Sequence, residues 1–165
     1  MPGALFLDRD GVINIDTGYA HRPEEIEWVD GADKAIRWAN KQGLRVVIVT
    51  NQAGIGRGYY TANDFVELTD WMLTELGASD AVVDAVYYCP HHPDDGCPCR
   101  KPEAGMLSEA LREWCLDPKA SLLIGDKESD LAAASNAGIV AAHFMVERDG
   151  PLDQFVIDRW HQEHP

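Results

Sequence analysis

Short apolar runs alternate with amphipathic segments of helical period along most of the chain, and that alternation admits few folds. Ala4 to Leu7, Arg45 to Val49, Val82 to Tyr88, Ser121 to Ile124 and Ile139 to His143 read as strands. Asp33 to Gln42, the stretch after Thr61, Glu103 to Cys115 and Asp130 to Ala137 read as the helices between them. After Thr61, which is placed to cap, Phe65, Leu68, Trp71, Met72 and Leu76 recur at helical spacing. Gly43 and Gly77 stand where such helices stop. Met106, Leu107, Ala110, Leu111 and Trp114 share one helical face, and Cys115 on that helix is expected to be a buried apolar thiol. Strands separated by helices predict an α/β domain of three layers, Rossmann-like, around a mainly parallel sheet. The tail beyond Gly150 predicts a peripheral helix around Phe155, Val156 and Trp160.

With 165 residues, 45% of them hydrophobic, the chain suits a single domain over residues 1–165 with a real core. A formal charge of −14 argues against nucleic acid or an anionic membrane surface as partner, because both need basic surface to displace counterions. An anionic small substrate would need a local basic pocket. The chain has no apolar run of about eighteen residues and no basic or apolar leader before its first strand, so a soluble, cytoplasmic protein, taken as a monomer, is expected.

In parallel sheets, ligands gather at the carboxyl ends of the strands. The first strand ends in Asp8-Arg9-Asp10-Gly11, and alternation along an extended chain sends Asp8 and Asp10 to the same side. Two carboxylates so close repel unless a cation or a substrate group compensates them. The second strand end brings Thr50, Asn51 and Gln52, and the only glycine-dense loop, Gly54 to Gly58, follows it. The loop after the third strand brings Arg100 and Lys101; the fourth brings Asp126, Lys127 and, about one helical turn on, Asp130. Each group alone is ordinary turn chemistry, but together they set acids, a hydroxyl and cations around one crevice.

Residues 89–99 carry a second pattern. Cys89-x-His91, five further residues, then Cys97-x-Cys99 supply three thiols and one imidazole, the ligand set of a closed tetrahedral Zn²⁺ site. Each x-separated pair points two ligands to one side of an extended segment, which selects His91 over His92. The alternative is a reduced, metal-free loop. Pro90, Pro93 and Pro98 stiffen it, and Arg100 and Lys101 follow the last ligand, so a structural zinc would place those cations without entering the chemistry.

Asp8-x-Asp10-Gly11, Thr50, Lys101 before Pro102, and Gly125-Asp126-x-x-x-Asp130, in this order, resemble the four motifs of the haloacid dehalogenase superfamily, over roughly Leu5 to Gly138. The finer pattern in Asp8 to Asn14, Gly18-Tyr19-x-His21, Thr50 to Gly58, Cys89 to Pro93 and Cys99 to Pro102 is similar to heptose-bisphosphate phosphatases and, more distantly, to histidinol-phosphate phosphatases. The resemblance implies a Mg²⁺-dependent phosphatase that removes the 7-phosphate of D-glycero-D-manno-heptose 1,7-bisphosphate. Asp8 would be the nucleophile, forming an aspartyl-phosphate; Asp10 would be the general acid and then base; Thr50 and Lys101 would hold the phosphoryl group. Mg²⁺ would be held by Asp8, the carbonyl of Asp10 and Asp126, with Asp130 supporting from behind and Lys127 tuning Asp126 or touching the phosphoryl group. Asp16, Thr17, Gly18, Tyr19, Asn51, Gln52 and Ala53 would meet the sugar. Arg57 or, better suited to a phosphate, Arg100 would meet the second phosphate.

The segments between motifs leave no room for a cap domain, so an open site with loops for walls is expected. The five residues between His91 and Cys97 are closer to the histidinol-phosphate type, whereas Gly18-Tyr19 and Arg57-Gly58 favour the heptose. A catalytically silent, zinc-stabilised binding protein on the same scaffold is the rival of another class. The intact set of Asp8, Asp10, Thr50, Lys101 and Asp126 argues against it.

Overall fold

The computed structural model describes all 165 residues. Five strands, β1 (Ala4–Leu7), β2 (Arg45–Asn51), β3 (Ala85–Cys89), β4 (Leu122–Gly125) and β5 (Val140–His143), form one parallel sheet in the order β3-β2-β1-β4-β5. The helices are α1 (Ala32–Lys41), α2 (Ala53–Gly56), α3 (Ala62–Ala78), α4 (Gly105–Glu113), α5 (Glu128–Asn136), α6 (Val146–Asp149) and α7 (Leu152–Glu163). The chain winds outward from β1 to β3, then returns to place β4 on the other side of β1. The strand order reverses between β1 and β4, and a crevice opens at such a reversal outside the carboxyl ends.

The alternation of side chains along the strands builds two cores. Leu5, Leu7, Val46, Ile48, Leu122 and Ile124 face one way, against α1, α3 and α7. Ala4, Phe6, Val47, Val49 and Leu123 face the other, against α4 and α5. Burial on both faces is why the central strands read as continuous apolar runs. This is the expected three-layer α/β architecture. Thr61 caps α3 as its position predicts: its hydroxyl accepts the Asp64 N–H at 3.0 Å while Asp64 accepts the Thr61 N–H at 2.8 Å. The tail helix also forms, with Phe155 and Val156 of α7 buried in the first core.

The departures have local causes. Val82 to Asp84, expected in β3, lies outside it: the Asn40 amide takes both the N–H and the C=O of Val82, and Asp84 meets Val46 of β2 twice, donating its main-chain N–H to the carbonyl and accepting the N–H on its carboxylate, both at 2.8 Å. β2 runs on through Thr50 and Asn51, in register with Tyr88 and Cys89. The glycine-dense segment begins with a helical turn, α2, before its loop. Cys115 is exposed, which corrects the expectation of a buried thiol. α4 ends at Glu113, Cys115 adopts a positive φ of 50°, and Leu116 takes the buried place.

Candidate active site

The carboxyl ends of β1, β2 and β4 converge on Lys101, which is 3% exposed. Its ammonium has three oxygen partners: Asp8 Oδ1 at 3.0 Å, the Val49 carbonyl at 2.9 Å, and Asp130 Oδ1. Burial alone would lower the lysine pKa, but Asp8 and Asp130 outweigh it and raise it, so the group stays charged. Asp8 is pushed up to about 8, chiefly by burial, with Asp130, Asp126 and Asp10 adding to the rise and Lys101 opposing it. Burial likewise raises Asp126. One buried lysine does not balance this group of carboxylates. Asp8 Oδ1 accepts from Lys101 and from the Arg9 N–H at 2.9 Å, so Oδ2 is the oxygen left for other chemistry.

Two glycines make the convergence possible. Gly11 has φ +89°, and a Cβ there would lie 2.2 Å from Asp126 Oδ2. A Cβ on Gly125 would lie 2.3 Å from the Asp130 Cβ, so only glycine lets α5 bring Asp130 under the strand end. Asp130 Oδ2 accepts the N–H groups of Asp126 and Lys127, both at 3.1 Å, at the N-terminus of α5.

Asp10 leaves β1 on the same side as Asp8, and its carboxylate is oriented by several donors. Arg9 folds back on it at 3.0 Å and bonds the Ala20 carbonyl as well, Asn14 donates at 3.0 Å, and Gln52 Nε2 donates at 3.3 Å. The same Gln52 nitrogen donates to Thr50 Oγ1 at 2.9 Å, which leaves the Thr50 hydroxyl proton free to be given elsewhere. Tyr60, held protonated by burial that lifts its pKa to about 12, donates to Gln52 Oε1 and so fixes which end of that amide faces Asp10.

Above this floor opens a polar crevice of about 350 Å³. Asp10, Asp16, Gly18, Tyr19, Asn51, Gln52, Ala53, Arg57, Arg100 and Lys127 line it, and a smaller hollow below reaches Asp8, Lys101 and Asp130. Lys127 spans toward Asp16 at 3.6 Å. Arg100 Nη1 is buried without a hydrogen-bond partner, an unmet cationic donor at the edge of the crevice. No large domain covers this mouth; its walls are loops, as the short segments between motifs predict.

A model of HAD-hydrolase-like proteins matches residues 98–146. The chain is 44% identical to D-glycero-beta-D-manno-heptose-1,7-bisphosphate 7-phosphatase of Haemophilus influenzae, over 84% of this chain and 79% of that one. It is 49% identical to the alpha-named counterpart of Campylobacter jejuni, over 82% and 78%. The chain belongs to the heptose-bisphosphate phosphatase family. Its fold matches the crystal structure of D,D-heptose 1,7-bisphosphate phosphatase from B. bronchiseptica, complexed with magnesium and phosphate, with a TM-score of 0.83 at 33% identity, covering 95% of this chain and 86% of that one.

Of the residues a heptose-bisphosphate phosphatase was expected to use, Thr17 stands exposed and outside the crevice lining. The Asn51 side chain, expected to meet the sugar, is bonded to the main chain of Lys101, although the residue still lines the crevice. Sequence reasoning missed Arg9, Asn14, Tyr60 and Ser129. Arg9 and Asn14 lie within the Asp8 to Asn14 motif, but nothing in its spacing says that both turn back on Asp10. Tyr60 and Ser129 line the crevice and carried no signal beyond their nearness to motifs.

The cysteine loop forms the expected cluster. His91 Nδ1 lies 3.4 Å from Cys89 Sγ and 3.1 Å from Cys99 Sγ, and the three sulfurs lie 3.0 to 3.5 Å apart. His92 is turned away, its ring accepting the Asp94 N–H at 3.1 Å.

Proposed function

We propose that this chain hydrolyses the 7-phosphate of D-glycero-D-manno-heptose 1,7-bisphosphate through an aspartyl-phosphate on Asp8. The observation that carries the reading is the buried Asp8–Lys101–Asp130 arrangement beneath a crevice that Arg100 lines, with its Nη1 lacking a hydrogen-bond partner. One phosphate can enter the hollow over Asp8 while a second meets Arg100. Asp8 forms the bond to phosphorus as the ester bond breaks, and Asp10 gives its proton to the leaving sugar oxygen. Asp10 then takes a proton from the water that releases phosphate and restores Asp8. Thr50 Oγ1, already accepting from Gln52, directs its proton to a phosphoryl oxygen.

The donor set suits a hard dication. Asp126 Oδ1 is buried without a partner, and oxygens of Asp8, Asp126 and Asp130 lie within 4.8 Å of one another. Both Asp130 oxygens are occupied by Lys101 and by two backbone N–H groups, so Asp8, Asp126 and the Asp10 carbonyl would hold Mg²⁺. When bound, it would neutralise charge on the phosphoryl oxygens.

Steady-state phosphate release with Mg²⁺, measured on both anomers of the heptose bisphosphate and on histidinol phosphate, tests the reading. A heptose kcat/KM at least about 100-fold above that for histidinol phosphate is expected. The reverse order would overturn it.

Magnesium stabilisation should depend on pH. Metal-free, Asp8 has its folded pKa raised from the usual carboxylate value to about 8, so the folded state holds a proton that the unfolded state has lost. Stability therefore falls as pH rises across that window. Mg²⁺ competes with this proton, and its effect on Tm should grow by several degrees between about pH 5.5 and about pH 8. An equal magnesium shift at both pH values would count against the cluster as its site.

The Cys89, His91, Cys97 and Cys99 set fits zinc. The atom separations are somewhat inside the edge of about 3.8 Å for a tetrahedron with bonds of about 2.3 Å, and the loop has no apolar core of its own. Metal analysis should return about one zinc per chain. Cys97→Ser should lower both that content and Tm, and unchanged melting in a zinc-free preparation would exclude a structural metal.

A further inference from the structure

The main chain of Lys101, in the loop after β3, is gripped by one side chain from the end of β2. Asn51 Oδ1 accepts the Lys101 N–H at 3.0 Å, and Asn51 Nδ2 donates to the Lys101 carbonyl at 3.1 Å. Asn51 ends β2, in register with Cys89, and the next N–H, of Gln52, donates to the Cys89 carbonyl at 2.8 Å. Cys99 lies two residues before Lys101. The grip therefore joins three things: the end of β2, the cysteine cluster, and the residue whose ammonium faces the nucleophile.

We propose that Asn51 is a positioning residue: its carboxamide sets the main chain of Lys101, and thereby the point from which the lysine stem reaches Asp8. A carboxamide carries an acceptor and a donor on separate atoms side by side, which lets it bond one residue's N–H and C=O together. A lysine stem has four rotatable carbons and considerable rotamer entropy. Its ammonium meets Asp8, the Val49 carbonyl and Asp130 at once only if its Cα is fixed. Misplacement of a catalytic group by about 1 Å can cost about 100-fold in rate. The same grip gives the cysteine loop a route to the chemistry that needs no direct contact with the substrate. This inference rests on the phosphatase reading above.

The test is a cycle of Asn51→Ala, Lys101→Arg and the double variant in the full chain, with Asn51→Asp as a milder change that keeps the acceptor for the Lys101 N–H. Asn51→Ala should lower kcat by about 10- to 100-fold with KM within about threefold, at unchanged zinc content. Asn51→Asp should fall between wild type and Asn51→Ala. In the Lys101→Arg background the further loss from Asn51→Ala should shrink to under about threefold, because the residue acts through Lys101. The cycle is read in parallel on calorimetric affinity for orthovanadate with Mg²⁺, so that a silent background still yields an answer. Losses that multiply in full in both readouts would overturn the proposal, as would a rise in KM alone, which marks a direct sugar contact. Wild-type protein inactive on every phosphate ester, yet showing the coupled vanadate cycle, would refute the phosphatase reading and leave the grip standing.

Discussion

Asp8→Asn should bring phosphate release down by at least about 10,000-fold while leaving the fold in place. The amide has the shape of the carboxylate, and its oxygen can still accept from Lys101 and from the Arg9 N–H, the two bonds that now hold Asp8 Oδ1. What disappears is the charged oxygen that must form a bond to phosphorus. Uncharged, the side chain no longer bears the burial cost that lifts Asp8 to about 8, so the metal-free variant should melt no lower than wild type near neutral pH. Steady-state assays and thermal melting on the same preparation check both halves. Residual turnover above about 1% of wild type would refute a covalent route through Asp8. Unfolding would show instead that the carboxylate is structural.

How much of this site is legible in the sequence depends on whether a residue acts through local geometry or through a distant partner. Asp8 and Asp10 are legible because strand alternation alone puts them on one side. Thr61 is legible as a cap because its partner lies three residues on. The cysteine cluster is legible, including His91 over His92, because ligand spacing in an extended segment is a local property. The alternation of apolar runs and helices gave the sheet, but not the return from β3 to β4 that puts Asp126 beside Gly11. The Lys101–Asp130 pair spans the loop after β3 and the start of α5, and no periodicity connects the two. Asn51 looks like one more polar residue at a strand end until Lys101, 50 positions on, is placed against it. Val82 reads as strand from its apolar neighbourhood, yet the Asn40 side chain takes its N–H and C=O, and at Asp84 the carboxylate takes the Val46 N–H. Cys115 fails for a similar reason: the helical period carries on in the sequence past the point where a positive φ ends the helix.

Lys101→Met should destabilise the protein by roughly 3 to 5 kcal/mol near neutral pH, the cost of removing one member of a buried ion pair, and should reduce turnover severely. Methionine fills much of the space of the lysine stem, so the loss is one of charge more than of packing. The variant leaves Asp8 and Asp130 close together under β1 and β4 with no cation between them, and leaves the Val49 carbonyl without its donor. The protein can recover part of the cost by taking up a proton on the carboxyl pair. Asp8 already sits at about 8 with Lys101 opposing the rise, so removing the lysine drives it higher still. A folded-state pKa raised above the unfolded value contributes stability at low pH that is lost as pH rises. The difference in Tm between Lys101→Met and wild type, measured without added magnesium, should therefore stay level from about pH 5 to about pH 7, where both folded proteins hold the Asp8 proton, and widen above about pH 8, where wild type has released it and the variant has not. Adding Asp130→Asn should close part of the gap at pH 8, because Asp8 there still holds its proton and the one stranded charge is then gone. A gap that fails to widen above about pH 8, or one that Asp130→Asn widens, would mean that Lys101 contributes through packing and not as the counter-charge on which the carboxylates at this strand end depend.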